Sequence, residues 1–362
     1  MSPPGRPKGE TPSAWREGSP MLPPGRPKGE TPSAQREGSP MLPPGRPKGE
    51  TPSAWREGSP TSLLVIDAGN TAVKWAISDH SGRHLVGSGV QEHGSVTDLQ
   101  ARLAAAWTSL TPTAVYGVSV ADPSVVHAIE RAARTVGGLP VTWFETQRMF
   151  EARGVAQPAT LRNGYLSPAQ LGADRWHGMI AACSTYPGES LIIVSAGTAT
   201  TVDCVRAEPP AAAVFLGGAI APGFELMRLA LARGTARLPL VEEDAATVAP
   251  LPYPATTEAA IAAGVFFAQL GLVERVVREF SAELRHAQRQ PPRLLLTGGR
   301  GRALLGPLTR SLLPVAAVSA LSLENDLILR GVALRALSER APSPAEPTAT
   351  GPAASGATLT SR

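Results

Sequence analysis

Two stretches of this chain repeat one local pattern, in which an apolar strand leads through a glycine turn into a second strand. The first stretch is DAGNTAVK at residues 67–74, and the second is SAGTATTVD at residues 195–203. Each is followed by a third strand and then by alternating helices and strands, which is typical of mixed α/β domains. Because the pattern occurs twice, we predict two successive α/β halves with a ligand cleft between them.

The periodicity of apolar residues predicts the individual elements. The predicted strands are 63–66, 73–78, 84–90, 115–120, 141–144, 191–195, 201–205, 215–220 and 293–296. The predicted helices are 96–107, 123–135, 168–183, 224–232, 257–284 and 325–337. The first half then covers residues 62–186, including a linking helix, and the second covers residues 187–340.

The N-terminal segment is built differently, from a 20-residue unit that starts at Pro3, Pro23 and Pro43. The unit is rich in proline and glycine and offers too few apolar residues to form a core. We therefore expect residues 1–61 to be disordered; a functional Pro-rich docking arm is the alternative. The tail at 341–362, rich in Pro, Ala, Ser and Thr, is expected to be disordered as well.

The distribution of charge argues against a nucleic-acid partner. The net charge is +4, and the three repeats, each with two Arg, one Lys and two Glu, supply most of it. A nucleic-acid-binding domain concentrates basic residues on its folded surface, and this one does not. Cys183 and Cys204 lack the spacing of a zinc site. Without an apolar run long enough to span a bilayer, or the apolar core of a signal peptide, we expect a cytoplasmic protein with no membrane contact.

The 67–74 turn has the composition of a phosphate-binding loop. Asp67 at a strand end can hold Mg²⁺, and Gly69 lets the backbone approach a phosphate closely. The folded part of the chain contains one lysine, Lys74, and it lies in this turn. A compact ammonium suits a moving phosphoryl group. An ordinary Asx turn would also explain the first four residues, and a Thr-rich hairpin would explain the 195–203 turn.

Further candidates lie in the linking helix and at two later turns. Asp174 and Arg175 are adjacent in LGADRW, suited to proton abstraction and carboxylate binding, although a solvated ion pair would look the same. The glycine turns at 217–223 and 297–301 can admit a ribose or a base, but each alone is also a common helix-flanking turn.

Together these motifs resemble the type III pantothenate kinases of the acetokinase/sugar kinase/Hsp70/actin superfamily. The resemblance covers residues 63–337 and rests on DAGNTAVK, NGY, LGADRW, GTATTVD, GGAIAPG and TTEAAIAAG. It implies an α/β fold of duplicated ribonuclease-H-like (actin-like ATPase) domains. It also implies ATP-dependent phosphorylation of pantothenate to 4'-phosphopantothenate, the first step of coenzyme A biosynthesis, by a homodimer with the substrate pocket at its interface.

The resemblance also assigns roles to individual residues. Asp174 would be the proton acceptor. The residues implied to bind ATP are Asp67, Ala68, Gly69, Asn70, Thr71, Ala72, Val73, Lys74 and Thr198, with Asp67 near Mg²⁺. Those implied to hold pantothenate are Tyr165, Gly172, Ala173, Asp174, Arg175 and Thr257.

One position departs from the family pattern. Where the family has an aspartate that ligates a monovalent cation, K⁺ or NH₄⁺, this chain has Ser195. A neutral hydroxyl is a weaker ligand for a hard cation than a carboxylate, so we expect cation dependence to be reduced or lost. Two alternatives remain open: a kinase of the same superfamily acting on another small hydroxy compound, and a non-catalytic regulatory relative.

Overall fold

The computed structural model describes residues 62–341, apart from positions 80, 83, 154–159, 209–211, 243–252 and 288. The predicted disorder of residues 1–61 and of the C-terminal tail beyond Ala341 lies outside the described residues. Those that are described belong to one compact unit, Arg56–Arg362.

The first sheet contains five described strands. They are β1 (Leu63–Ala68), β2 (Ala72–Ser78), β3 (Leu85–Glu92), β4 (Ala114–Ser119) and β5 (Val141–Trp143), in the order β3-β2-β1-β4-β5. Strand β1 pairs antiparallel with β2 and parallel with β4. All six residues of β1 are buried, as expected for a central strand covered on both faces.

The second sheet has seven described strands. They are β6 (Met149–Glu151), β7 (Thr160–Asn163), β8 (Leu191–Ala196), β9 (Ala199–Glu208), β10 (Ala212–Pro222), β11 (Arg293–Thr297) and β12 (Ala320–Leu323). Their order is β12-β11-β8-β9-β10-β7-β6. Strand β8 pairs antiparallel with β9 and parallel with β11, as β1 does with β2 and β4. Both sheets thus contain an antiparallel three-strand meander whose first strand also pairs with a parallel strand. The prediction of a mixed α/β fold is confirmed.

Seven α-helices accompany the sheets in the described residues. They are α1 (Val96–Trp107), α2 (Pro123–Gly137), α3 (Ala173–Thr185), α4 (Phe224–Gly234), α5 (Thr257–His286), α6 (Gly301–Leu312) and α7 (Leu327–Arg340). Local sequence explains the bounds of α2. The Asp122 side chain accepts a hydrogen bond from the Ser124 N–H at 2.8 Å, Pro123 follows the cap, and Gly138 ends the helix with φ 66°.

Three predictions of local structure were wrong. The predicted helix 168–183 is a 3₁₀ turn at Pro168–Gln170 and then α3, because Leu171 and Gly172 have extended backbones. Helix α6 was missed because Pro307 lies inside it, although Leu304, Leu308 and Leu312 form a buried stripe. Strands β6, β7 and β12 were missed because they are only 3, 4 and 4 residues long.

Helix α7 packs on the first sheet, although it follows the second in sequence. Its residues Leu329, Val332, Ala333 and Ala336 share one apolar cluster with Leu63, Val65, Ala76 and Val118. It also packs tightly on α3, since a Cβ atom at Gly331 would lie 1.8 Å from the carbonyl oxygen of His177. Side chains from both ends of the described chain therefore complete this core.

Helix α5 has the length and apolar composition of a membrane span, which the sequence analysis did not anticipate. Its buried residues, among them Phe266, Val273, Val277 and Phe280, belong to the apolar cluster of the second sheet. A core helix passes the same test of length and composition, and this packing explains the apolar character of α5.

Candidate active site

A cleft of about 340 Å³ is lined by both repeated glycine turns. The β1–β2 turn contributes Gly69 and Thr71, and the β8–β9 turn contributes Gly197 and Thr198. The hydroxyl oxygens of Thr71 and Thr198 are 2.8 Å apart, a hydrogen bond between residues separated by 127 positions. The two turns therefore face each other across the mouth of one cleft.

A third turn, between β11 and α6, lines the same cleft through residues 297–300. Gly298 has φ +83°, and a Cβ atom there would lie 2.5 Å from the carbonyl oxygen of Ala196. Both the backbone angle and the close approach exclude a larger residue. This glycine lets the third turn pack directly on strand β8.

Asp67 is the last residue but one of the buried strand β1, and it lines the cleft with Lys74. It is 6% exposed. Burial raises the pKa of Asp67 to about 7; the nearby Lys74 ammonium lowers this pKa, and the Asp174 carboxylate raises it. A carboxylate desolvated in this way is stabilised by a bound cation.

Asp174 lies in the first turn of α3 and lines the cleft. Its Oδ1 accepts a hydrogen bond from the backbone N–H of Arg175 at 2.8 Å. A Cβ atom at Gly172 would lie 2.5 Å from this oxygen, so the glycine leaves room for the carboxylate. Burial raises the pKa of Asp174, and the hydrogen bond and charge of Arg175 oppose that shift.

Arg175 forms a buried ion pair with Asp203 of β9, and their side chains are 7% and 3% exposed. Arg175 Nε donates to Asp203 Oδ1 at 3.1 Å and to Oδ2 at 3.2 Å, and Nη2 also donates to Oδ1. Both terminal nitrogens of Arg175 lie 3.5 Å from the hydroxyl of Tyr165. Burial raises the pKa of Asp203, and the guanidinium of Arg175 opposes the shift.

The structure brings most of the predicted site residues to this cleft. The predicted residues that line it are Asp67, Gly69, Asn70, Thr71, Ala72, Lys74, Asp174, Arg175, Ser195 and Thr198. Tyr165 adjoins it through Arg175. Ala68 and Val73 are instead buried in the core of the first sheet. Gly172 and Ala173 form the start of α3, while Thr257 is exposed at the start of α5 and does not line the cleft.

Two acidic residues that line the cleft, Asp203 and Glu225, were not predicted to be functional. The sequence could have identified Asp203 as a candidate, because a carboxylate in the middle of an apolar strand needs a buried partner. The partner, Arg175, is 28 residues away on a helix, so spacing alone could not identify it. Glu225 lies in the first turn of α4, where acidic residues are common for other reasons.

The chemistry of the cleft fits transfer of a charged group from a nucleotide. Glycine turns provide close approach of the backbone to phosphates, and Lys74 provides a positive charge. No cluster of three or more His, Cys, Asp or Glu side chains suited to a metal ion occurs in the described residues. Mg²⁺ commonly uses one or two carboxylates together with substrate phosphates, and the desolvated carboxylate of Asp67 fits that mode.

Two solved structures resemble the chain over most of its length. One is component A of (R)-2-hydroxyglutaryl-CoA dehydratase from Acidaminococcus fermentans, 13% identical, with a TM-score of 0.37 and coverage of 76% of this chain and 96% of that one. The other is a ROK family protein from Streptococcus pneumoniae, 12% identical, with a TM-score of 0.36 and coverage of 77% and 99%. Similarities this low do not assign a fold or a function to the chain.

Sequence comparison is far more specific. Residues 63–279 match the type III pantothenate kinase family. A type III pantothenate kinase of Burkholderia thailandensis is 39% identical over 256 residues, which cover 68% of this chain and 90% of the relative. One from Cupriavidus pinatubonensis is 39% identical over 264 residues, with coverage of 68% and 91%. The chain therefore belongs to the type III pantothenate kinase family.

Proposed function

We propose that this chain transfers the γ-phosphoryl group of ATP to the primary hydroxyl of pantothenate, the first step of coenzyme A biosynthesis. Family membership supports the reaction. The observation that carries it within this structure is the meeting of Asp67, Lys74 and Asp174 in one cleft lined by glycine turns. Phosphoryl transfer asks a protein mainly for positioning and for stabilisation of charge, and these groups supply both.

ATP binds, in this proposal, between the two facing glycine turns. The backbone of residues 67–74 approaches the phosphates, Lys74 balances their charge, and Thr198 contacts the nucleotide from the opposite side. When Mg²⁺ is bound, it supplies charge neutralisation to the phosphate oxygens. Asp67 would hold it, because its buried carboxylate faces the cleft and a cation there would offset the cost of its desolvation.

Asp174 aligns the hydroxyl of pantothenate and accepts its proton. Its position in the cleft and its hydrogen bond from the Arg175 N–H support this role. Burial raises the pKa of this carboxyl above its ordinary value, which makes the carboxylate a better base than an exposed one. A loose transition state places only a modest demand on basicity.

Pantothenate is held, in this proposal, by Tyr165, Arg175, the Gly172–Ala173 segment and Thr257, with its carboxylate near Arg175. We also propose a homodimer. Leu166, beside Tyr165, is 99% exposed, and a second protomer would cover such an apolar side chain. The two meanders would belong to duplicated ribonuclease-H-like domains, divided at residues 186 and 187, in a cytoplasmic enzyme.

A coupled assay of ADP release tests the function directly. Purified protein with ATP, Mg²⁺ and pantothenate should release ADP and form 4'-phosphopantothenate. Release of ADP with other small hydroxy compounds but not with pantothenate would favour a different kinase. A protein that binds both ligands without turnover would favour a regulatory relative.

Ser195 makes the monovalent cation a separate question. Ser195 lies at the end of β8 and lines the cleft. We expect weak stimulation of the wild-type enzyme by potassium, because a hydroxyl is a poor ligand for a hard cation. Ser195→Asp should increase potassium stimulation severalfold, since it restores a carboxylate.

The measurement is a potassium chloride titration at constant ionic strength for both proteins. Without the cation, the new carboxylate should lower the melting temperature, because it is desolvated. A strong, saturable potassium requirement in the wild type would contradict the prediction.

Gly172→Ala tests the packing at the start of α3. The new Cβ atom would lie 2.5 Å from Asp174 Oδ1, so the carboxylate must move. The backbone angles of Gly172, φ −55° and ψ 137°, are accessible to alanine. We therefore expect a fall in kcat of about 10-fold or more with little change in melting temperature. Gly234→Ala, at the end of α4, controls for the loss of a glycine, because its φ is not positive and nothing lies within 4 Å of its Cβ position.

A further inference from the structure

The geometry of Arg175 divides its guanidinium into two hydrogen-bonding edges. The side edge, formed by Nε and Nη2, faces the carboxylate of Asp203, with Nε at 3.1 and 3.2 Å from its two oxygens. The end edge, formed by Nη1 and Nη2, faces the hydroxyl of Tyr165, with both nitrogens at 3.5 Å. Such distances are at the limit of a hydrogen bond. The side edge is therefore held firmly by Asp203, while the end edge can donate shorter hydrogen bonds to another acceptor.

Asp203 is itself fixed in place by its surroundings. It lies within β9, opposite Gly218 of β10. A Cβ atom at Gly218 would lie 2.9 Å from Asp203 Oδ1 and 2.2 Å from the carbonyl oxygen of Val202. The neighbouring strand thus leaves room for this carboxylate only because residue 218 has no side chain.

The flat guanidinium also rests against aromatic rings. Arg175 Cζ lies 5.7 Å from the ring centroid of Phe215 and 6.0 Å from that of Tyr165. Phe215 is fully buried. Rings restrict the plane of the guanidinium, but they do not determine its rotation within that plane, whereas a two-oxygen contact with a carboxylate does.

We infer that Asp203 is a positioning residue, which holds Arg175 so that its Nη1/Nη2 edge and the hydroxyl of Tyr165 together receive a carboxylate of the substrate. Asp203 does not touch the substrate in this arrangement and acts through Arg175 alone. The inference rests on the proposed function, because pantothenate supplies the carboxylate.

Asp203→Asn is the main test, because it keeps the shape of the side chain and removes its charge. We expect KM for pantothenate to rise about 10-fold or more, KM for ATP to stay within about twofold, and kcat to change less than KM. Cys204→Ala is the matched control. It alters a buried neighbour on the same strand and should leave both KM values unchanged.

The alcohol analogue of pantothenate, with CH₂OH in place of the carboxylate, separates orientation of Arg175 from general damage. Asp203→Asn should leave KM for this analogue within about twofold, since it offers no carboxylate to the Arg175 edge. In an Arg175→Ala background, adding Asp203→Asn should change KM for pantothenate no further. Three results would each overturn the inference. They are an equal rise in KM for the acid and for the alcohol, additive rises in KM in the double variant, and an unchanged KM for pantothenate in Asp203→Asn.

Thermal unfolding gives a readout that does not depend on turnover. Asp203→Asn should lower the melting temperature of the wild type, because Arg175 loses its buried counter-ion. It should raise the melting temperature of Arg175→Ala, because there it removes an unpaired buried carboxylate. A decrease in both backgrounds would overturn the pairing. If wild-type protein fails to phosphorylate pantothenate, the proposed function fails. The opposite effects of Asp203→Asn on the melting temperatures of the wild type and of Arg175→Ala would still test the pairing of Arg175 with Asp203.

Discussion

Asp174→Asn should lower kcat by about 100-fold or more, the scale at which a positioned general base contributes. The asparagine oxygen can still accept the hydrogen bond from the Arg175 N–H, so the start of α3 should keep its geometry. What is lost is the negative charge that, in the proposed mechanism, aligns the hydroxyl of pantothenate and takes up its proton. KM for ATP should stay within about twofold, because Asp174 is assigned no contact with the nucleotide.

Asp98→Asn is the matched control for this variant. Asp98 also lies in the first turn of a helix, α1, and its replacement removes the same favourable interaction with the helix dipole. The pH profile adds a second readout. Since burial raises the pKa of Asp174, the acid limb of kcat/KM should lie above the usual aspartate pKa of 3.8. Wild-type turnover by Asp174→Asn would remove this residue from the mechanism.

Asp67→Asn should have opposite effects on stability and on activity. The folded-state pKa of Asp67 is about 7, against the usual aspartate pKa of 3.8 that applies to the unfolded chain. Because the folded pKa is the higher one, folding favours the protonated form, and its contribution to stability falls as pH rises from about 4 to 7. Asparagine avoids this loss. At pH 8, without ligands, the variant should gain on the order of 1–4 kcal/mol of unfolding free energy, and at pH 4 it should gain little.

Activity should respond in the other direction. Without the carboxylate that would hold Mg²⁺, kcat should fall by about 100-fold or more. MgATP should raise the melting temperature of the wild type and have little effect on Asp67→Asn. The measurement is thermal unfolding at pH 5 and pH 8, with and without MgATP, beside the ADP assay.

Asp79→Asn provides the contrast. Asp79 is 5% exposed, but its carboxylate accepts hydrogen bonds from Ser81, from the backbone N–H at 3.1 Å and from the hydroxyl at 2.8 Å. This variant should lower the melting temperature, because it weakens charge-assisted hydrogen bonds. A lower melting temperature for ligand-free Asp67→Asn at pH 8 would show that burial does not penalise the Asp67 charge.

Local pattern predicted the central elements of both sheets well. Strands β1, β2, β8 and β9 are largely apolar runs that flank the two glycine turns, and their existence follows from side-chain burial and turn chemistry. The start of α3 was mispredicted. Pro168 favours the first turn of a helix, so the sequence suggested a helix from residue 168, whereas in the structure that turn ends at Gln170 and α3 begins only after Gly172. Short strands such as β6 acquire their structure from a neighbouring strand, and no local pattern encodes that pairing.

The candidate site shows the same division between local and distant information. Asp67 and Lys74 were predicted together because they flank one turn, and the structure pairs their backbones in adjacent strands. Asp174 was predicted from its motif. The ion pair between Arg175 and Asp203 joins a helix to a strand, and the approach of Thr71 to Thr198 joins two sheets. These contacts depend on how the helices and strands pack against each other, and the spacing of residues along the sequence does not encode that packing.

The packing of α7 on the first sheet has a consequence for how this protein folds while it is being synthesised. Translation delivers β1, β2 and β4 early and α7 only after the whole second sheet. Until then, the face formed by Leu63, Val65, Ala76 and Val118 has no α7 against it. Nascent domains usually fold from the N-terminal side first. Here the first-made sheet must wait for the last-made helix, so a ribosome stalled before residue 327 would carry an apolar surface on which chaperones bind.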